Sequence, residues 1–205
     1  MLCRMLIYGF SMTLLLIGLV LFIGFHSFRI VAPQQRLAVI ELFGVTGWRI
    51  VHSIVSVVAL VVLVSGFVIA RQDPTMLWYP PVWTRHLAAT LMIFSMVLAV
   101  AAAFPAGRIK EKAKFPLTAA VKIWAFSHLL ANGKLSSIVV FVAFLAWAVV
   151  LRIALKRAVA RGELSYPVFV SGKYDVLAIV GGLGLWAAMV FGLHTWLIGV
   201  SPLGF

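Results

Sequence analysis

Residues 50–70 read IVHSIVSVVALVVLVSGFVIA, from Ile50 to Ala70, with no Asp, Glu, Lys or Arg among them. A helix of this length rises about 30 Å at 1.5 Å per residue, the thickness of a bilayer's hydrocarbon core. Four more runs of the same kind flank it: Met5–Phe25, His86–Phe104, Leu135–Leu155 and Val176–Val200. Their one Lys, Arg, Asp or Glu is Arg152, near enough to an end to snorkel. A sixth segment, Pro116–Leu130, is short and contains Lys122; the stretch from Lys114 to Lys134 gives about 30 Å of helix. The expected fold is all-α: a polytopic integral membrane bundle of about six transmembrane helices, forming a single domain over residues 1–205.

Composition agrees. Of the 205 residues 64% are hydrophobic and 11% are charged, against about 25% charged in an ordinary soluble domain. Mean hydropathy is +1.14. The net charge of +12 resembles a nucleic-acid signature. Its distribution argues otherwise, because nearly all Lys and Arg lie between the apolar runs, as cytoplasmic loops do in membrane proteins. The expected partners are the lipid bilayer and its anionic headgroups, with no nucleic acid.

The charges also set an orientation. Arg4, Arg71, Arg85 and Lys134 fall on one side. Arg29, Arg36, Arg49, Arg108, Lys110, Lys112, Lys114, Arg152, Lys156, Arg157, Arg161 and Lys173 fall on the other. The second set belongs in the cytoplasm, with both termini outside. The first run exceeds the roughly 7–15 residues of a signal's apolar region and lacks a small-residue cleavage site, so it reads as a retained helix. Cys3, alone, builds neither a disulfide nor a cysteine metal site.

Turn residues separate the runs. Pro33 ends the first; Asp73, Pro74, Pro80 and Pro81 follow the second; Pro105 and Gly107 close the third. Pro116 suits a first helical turn, Asn132-Gly133 predicts an antiparallel hairpin, and Gly162 to Gly172 form the last sizeable loop.

Chemistry-bearing residues are few. Glu41, Asp73, Glu111, Glu163 and Asp175 all fall in or beside loops, so a membrane-embedded carboxylate pair is absent. That absence, with no sign of broken helices, argues against a transporter. There is no phosphate loop and no G-x-S-x-G motif. The histidines are His26, His52, His86, His128 and His194. An imidazole within lipid needs the bundle interior, water or a metal. His128, inside a helix with Asn132 one turn on, reads either as a hydrogen-bonded packing residue or as a ligand. His52 and Ser56 share a helix face as a local pair, while His26 and His86 lie at helix ends. Gly181, Gly182, Gly184, Ala187 and Ala188 suit close helix packing, and Trp48, Trp78, Tyr79, Trp83 and Trp196 read as an interfacial belt.

The stretch VKIWAFSHLLANGKLS, Val121 to Ser136, continuing through Phe144-Leu-Ala-Trp147-Ala-Val, closely resembles the signature of the NnrU family. Phe25-His26-Ser27 with Arg29, Trp48-Arg49 with Ser53 and Ser56, and Arg85-His86-Leu87 resemble its other segments, over roughly residues 20–160. The resemblance implies a bacterial inner (cytoplasmic) membrane protein linked to denitrification, in nitrite and nitric oxide metabolism. The family is similar to plant 15-cis-zeta-carotene isomerase, which uses heme b. That similarity implies His26 and His128 as ligands of the heme iron. Where it implies a redox-linked cysteine, this chain has Ala125, and where the family has His-Pro it has Phe115-Pro116.

Helix depth suggests other pairings. His128 lies about 18 Å along its helix from Pro116, whereas ligating nitrogens on one heme stand about 4 Å apart. Depth alone pairs His128 with His86 or His194, and His26 with His52. His26 and His128 therefore stand as the family-implied cofactor-binding pair, with His86 as the depth-implied substitute. Lys122 can snorkel, pair with a lipid phosphate or meet a heme propionate. Two functions follow. One is a heme b isomerase or redox enzyme. The other is a non-catalytic accessory factor for assembly of nitrite and nitric oxide reductases.

Overall fold

A computed structural model describes residues 2–73 and 75–203, with side chains from residue 12 onward except that of Arg29. The readings placed on Cys3, Arg4, Pro74 and the Arg29 side chain lie outside what it describes.

The described chain is helical, with an isolated antiparallel bridge between Met76 and Lys134. Its helices are α1 (Leu2–Val31), α2 (Pro33–Ala70), α3 (Val82–Ala103), α4 (Arg108–Ala113), α5 (Pro116–Ala131), α6 (Leu135–Ala160), α7 (Lys173–Ala188) and α8 (His194–Ile198), with a π-helical turn, Met189–Leu193, joining the last two. Four stretches are long and apolar enough to cross a membrane: Pro33–Ala70, Val82–Ala103, Leu135–Ala160 and Lys173–Ile198. Within α1, Met12–Phe28 forms a shorter apolar helix. The 16 residues of α5 rise about 24 Å, less than the Lys114–Lys134 stretch promised. Valines and isoleucines stand outward along these helices; on α2 Ile54, Val57, Val58 and Val61 are 57–60% exposed. A surface that apolar is unusual in water and ordinary against lipid. The protein is a multi-pass helical membrane protein.

Two compact units make up the chain: Met1–Leu77 with Lys134–Ala143, and Trp78–Gly133 with Phe144–Phe205. In the first, α1 and α2 run antiparallel and meet through reciprocal glycines. A methyl group on Gly18 would strike the Leu63 backbone, and one on Gly66 would come within 2.6 Å of the Leu15 amide nitrogen. Leu15 and Ala70 are fully buried in this unit. In lipid, helices associate by close packing rather than by escape from water, which is why small residues sit at the seam.

Residues 33–49 correct the expected connection. Pro33 opens α2 at its first turn, and the segment is helical. At Gly44 the backbone breaks, with φ 71° and ψ 169°, a region that glycine almost alone adopts. The chain folds back there, so 33–43 and 45–70 are two helical pieces.

In the second unit, α3 packs on both α5 and α7. Ser95 Oγ donates to the Ala120 carbonyl at 2.8 Å, and Trp186 Nε1 donates to the Ala89 carbonyl at 2.8 Å. The buried apolar residues here are nearly all alanines: Ala88, Ala101, Ala106, Ala120, Ala125, Ala148 and Ala178. Of the glycines expected to permit close packing, Gly182 does so, since a Cβ there would lie 2.5 Å from Val97 Cα; Gly184 faces open space. The hairpin of α5 and α6 is antiparallel, as Asn132-Gly133 suggests. Trp124 meets Phe144, and the Arg152 guanidinium donates to the Phe115 and Ala113 carbonyls at 3.3 and 3.2 Å. Arg152 thus satisfies carbonyls between α4 and α5 rather than only snorkelling.

One end of this unit is built from charge. Asp175, in the first turn of α7, accepts the amides of Arg108 and Ile109 at 2.8 Å each and caps α4. Lys110 Nζ donates to the Ala102 and Phe104 carbonyls at the end of α3. Arg161 pairs with Glu163 beyond the end of α6, which holds the Glu163 carboxyl below its usual range.

Candidate functional site: two histidine clusters

His26 and His52 come together in the first unit, their rings 5.2 Å apart between centroids and edge-on at 76°. His26 Nδ1 donates to the Phe22 carbonyl, one turn back, at 2.8 Å. A carbonyl can only accept, so Nδ1 carries the proton of this bond and Nε2 is the ring nitrogen left to meet another group. His52 Nδ1 and Ser56 Oγ lie 3.3 Å apart, the local pair the i, i+4 spacing predicts. Phe25 and Trp48 flank His52 at 5.0 and 5.5 Å. Beside these rings is a cavity of about 280 Å³ lined by Phe25, His26, Arg36, Trp48, Arg49 and His52, with Ser53 at its wall. Trp48 is half-buried and also belongs to this aromatic cluster. Tyr79, Trp83 and Trp196 stand exposed as expected of an interfacial belt.

His128 lies in the second unit. Its Nδ1 donates to the Trp124 carbonyl at 2.8 Å, the same arrangement as in His26. In both segments the neighbouring serine repeats the bond: Ser27 Oγ to the Ile23 carbonyl and Ser127 Oγ to the Ile123 carbonyl, each at 2.7 Å. Asn132 Nδ2 donates to the His128 carbonyl at 2.8 Å. The ring of His194 faces His128 with centroids 6.4 Å apart and planes within 26°. His194 Nδ1 donates in turn to the Val200 carbonyl at 2.7 Å. His194 follows the π-helical turn, where Gly192 departs from helical geometry. Such turns re-aim the residues after them and recur at functional sites. This break and the one at Gly44 correct the expectation of unbroken helices.

His86 occupies the exposed first turn of α3 and, among the described residues, makes no ring contact; its carbonyl accepts the Thr90 hydroxyl at 2.9 Å. Lys122 lines an open apolar groove with Ala119, Ile123, Phe126 and Leu145. Among the described residues no group of three or more His, Cys, Asp and Glu is gathered to hold a metal ion.

The family model described as NnrU protein matches residues 14–202, through both units and both histidine clusters. The chain belongs to the NnrU family. No curated protein and no solved structure matches it. Within this NnrU chain the HLLANG stretch, His128 to Gly133, closes α5, and its histidine and asparagine are joined by the bond described above. Ala125, standing where the family similarity implies a cysteine, is fully buried on the packed face of α5. Arg36 is the cluster residue that carries no signal of this role in the sequence. Its partner Trp48 lies twelve positions away, and only the break at Gly44 brings them together.

Proposed function

We propose that this NnrU-family protein binds heme b through its helix histidines and acts in nitrite and nitric oxide metabolism, as a membrane enzyme of redox or isomerase type. The observation that carries the reading is shared by His26 and His128. Each imidazole donates Nδ1–H to the carbonyl one turn back, which fixes the ring and turns the basic Nε2 outward. Metal-ligating histidines are held in this way. His128 and His194 lie in one unit with ring centroids 6.4 Å apart. His128 is therefore the first ligand proposed, with His194 beside it; His26, implied by the family, and His86, implied by depth, are separate candidates. Heme b, when bound, would supply an iron centre for redox or isomerisation chemistry; the chain's part is to hold and orient its ligands. Ala125 offers no thiol for ligand exchange, which weighs against chemistry of the carotene-isomerase kind.

An absorption spectrum of the detergent-purified protein is the test. A Soret band is expected from wild type and its loss from His128→Ala, with the helical circular-dichroism spectrum retained. A folded wild type that takes up no heme when hemin is supplied would sink this reading.

One observation favours a second reading, an accessory factor for assembly of nitrite and nitric oxide reductases. Four of the five carboxylates are occupied structurally: Asp73 with Thr75, Glu111 with Arg108, Glu163 with Arg161, and Asp175 capping α4. None is placed for acid–base work in the apolar spans. This reading expects a reductase subunit to co-purify, and function to survive replacement of His26 and His128. Under either reading the proposed location is the cytoplasmic membrane of a bacterium, with both termini in the periplasm and the basic end of the second unit in the cytoplasm.

A further inference from the structure

The cavity beside His26 and His52 has a composition that ligand chemistry at a metal does not explain. Two arginines, Arg36 and Arg49, line it beside His26 and His52, and no carboxylate does. Among the described residues, neither arginine forms an ion pair with Asp or Glu. Gathering like charges beside a low-dielectric membrane raises their mutual repulsion, and an anion between them relieves it. Phe25 and Trp48 supply apolar walls, and Ser53 adds a hydroxyl.

The cavity is also actively assembled. In an unbroken helix Arg36 and Trp48 would lie about 18 Å apart along the axis. The break at Gly44 instead folds 33–43 back and sets the Arg36 guanidinium 5.7 Å from the centre of the Trp48 ring. This cation–π approach holds the guanidinium at the wall, and its N–H groups can donate. Planar arginine forks with serine and imidazole donors are the recognition chemistry of phosphate oxygens. A volume of about 280 Å³ is at the small end of ligand pockets, the scale of a headgroup rather than a large cofactor.

We propose that this cavity is a phosphate-binding pocket in which Arg36 and Arg49, with the Ser53 hydroxyl and the imidazole of His52, hold the phosphate of a membrane lipid or of a small soluble anion. Neither arginine is a candidate iron ligand, so the pocket stands whether or not heme is bound.

The test uses the full chain, purified and delipidated in a maltoside detergent, which carries no phosphate. Binding of dioctanoyl phosphatidylglycerol, dioctanoylglycerol and inorganic phosphate is measured by calorimetry. Saturable binding of the phosphatidylglycerol with no binding of dioctanoylglycerol supports the pocket and assigns a lipid source. Millimolar binding of inorganic phosphate with equal affinity assigns a soluble one. R36Q/R49Q is expected to weaken binding roughly tenfold or more, R36K/R49K to weaken it less, and G44A to weaken it by opening the fold-back. A footprint on wild type needs no variant: the phosphate probe is expected to protect Arg36 and Arg49 from phenylglyoxal. Protection confined to other arginines, affinity unchanged in a folded R36Q/R49Q, or no binding of either phosphate probe would each overturn the proposal.

Discussion

A single methyl group distinguishes two glycines of α7. At Gly182 an added side chain meets the Val97 backbone, which cannot move aside without shifting α3; at Gly184 it meets nothing within 4 Å. Gly182→Val is expected to cost about 1–3 kcal/mol, the usual penalty of overpacking, while Gly184→Val leaves stability within error. Unfolding midpoints in detergent compare the two, and equal midpoints would mean that α3 and α7 do not approach as described. At this scale the sequence is legible where partners are near in the chain. His52 with Ser56 and His128 with Asn132 follow from the i, i+4 rule. Gly182 and Gly184 look alike in the sequence, because which of them faces α3 depends on how α7 is rotated. The contact of Trp48 with Arg36 is hidden for a related reason: it arises through the break at Gly44, which no periodicity announces.

Among the elements, the apolar runs were legible because lipid demands a long stretch of apolar helix: α1, α2 and α6 contain the predicted runs, α3 all but the last residue of its run, and α7 with the π-helical turn and α8 most of the final one. The charged α4 was not. Its six residues, RIKEKA, show no apolar period, and its N-terminal cap is Asp175, more than sixty positions away. The last helix was foreseen in extent and missed in form. Its π-helical turn holds one residue more than an α-helical path would, and so sets the direction of His194. Deleting Gly192 should restore the α-helical path and leave the direction of His194 nearly unchanged, whereas deleting Val190 as well should rotate it by about 100°. With cysteines at 128 and 194 in a Cys3→Ser background, a short bifunctional thiol reagent is expected to bridge the pair. The bridge should survive removal of Gly192 alone and fail once both residues are removed. Bridging that persists after the double deletion would show that the turn does not aim His194.

For the molecule as a whole, the hydropathy and charge pattern carried the reading furthest. Arg108, Lys110, Lys112 and Lys114 lie on and beside α4, and Arg152 donates to carbonyls next to it, so these charges share one end of the second unit. Single cysteines introduced at Lys112 and Tyr79 in a Cys3→Ser background test the orientation. An impermeant maleimide applied to intact spheroplasts should label position 79 and spare position 112. The reverse pattern would turn the protein over in the membrane and move His128 to the cytoplasmic side. What composition could not reveal was the division into two units, because the helices of both are equally apolar and the seams are written in single small residues.

The alanine seam of α3, α5 and α7 has a thermodynamic signature of its own. When such helices part within a bilayer, methyl groups exchange one hydrocarbon neighbour for another and scarcely any apolar surface becomes hydrated. Hydration of apolar surface is the source of the heat-capacity rise when soluble proteins unfold. The second unit should therefore come apart with almost no such rise, and its stability should change with temperature along a nearly straight line instead of a dome.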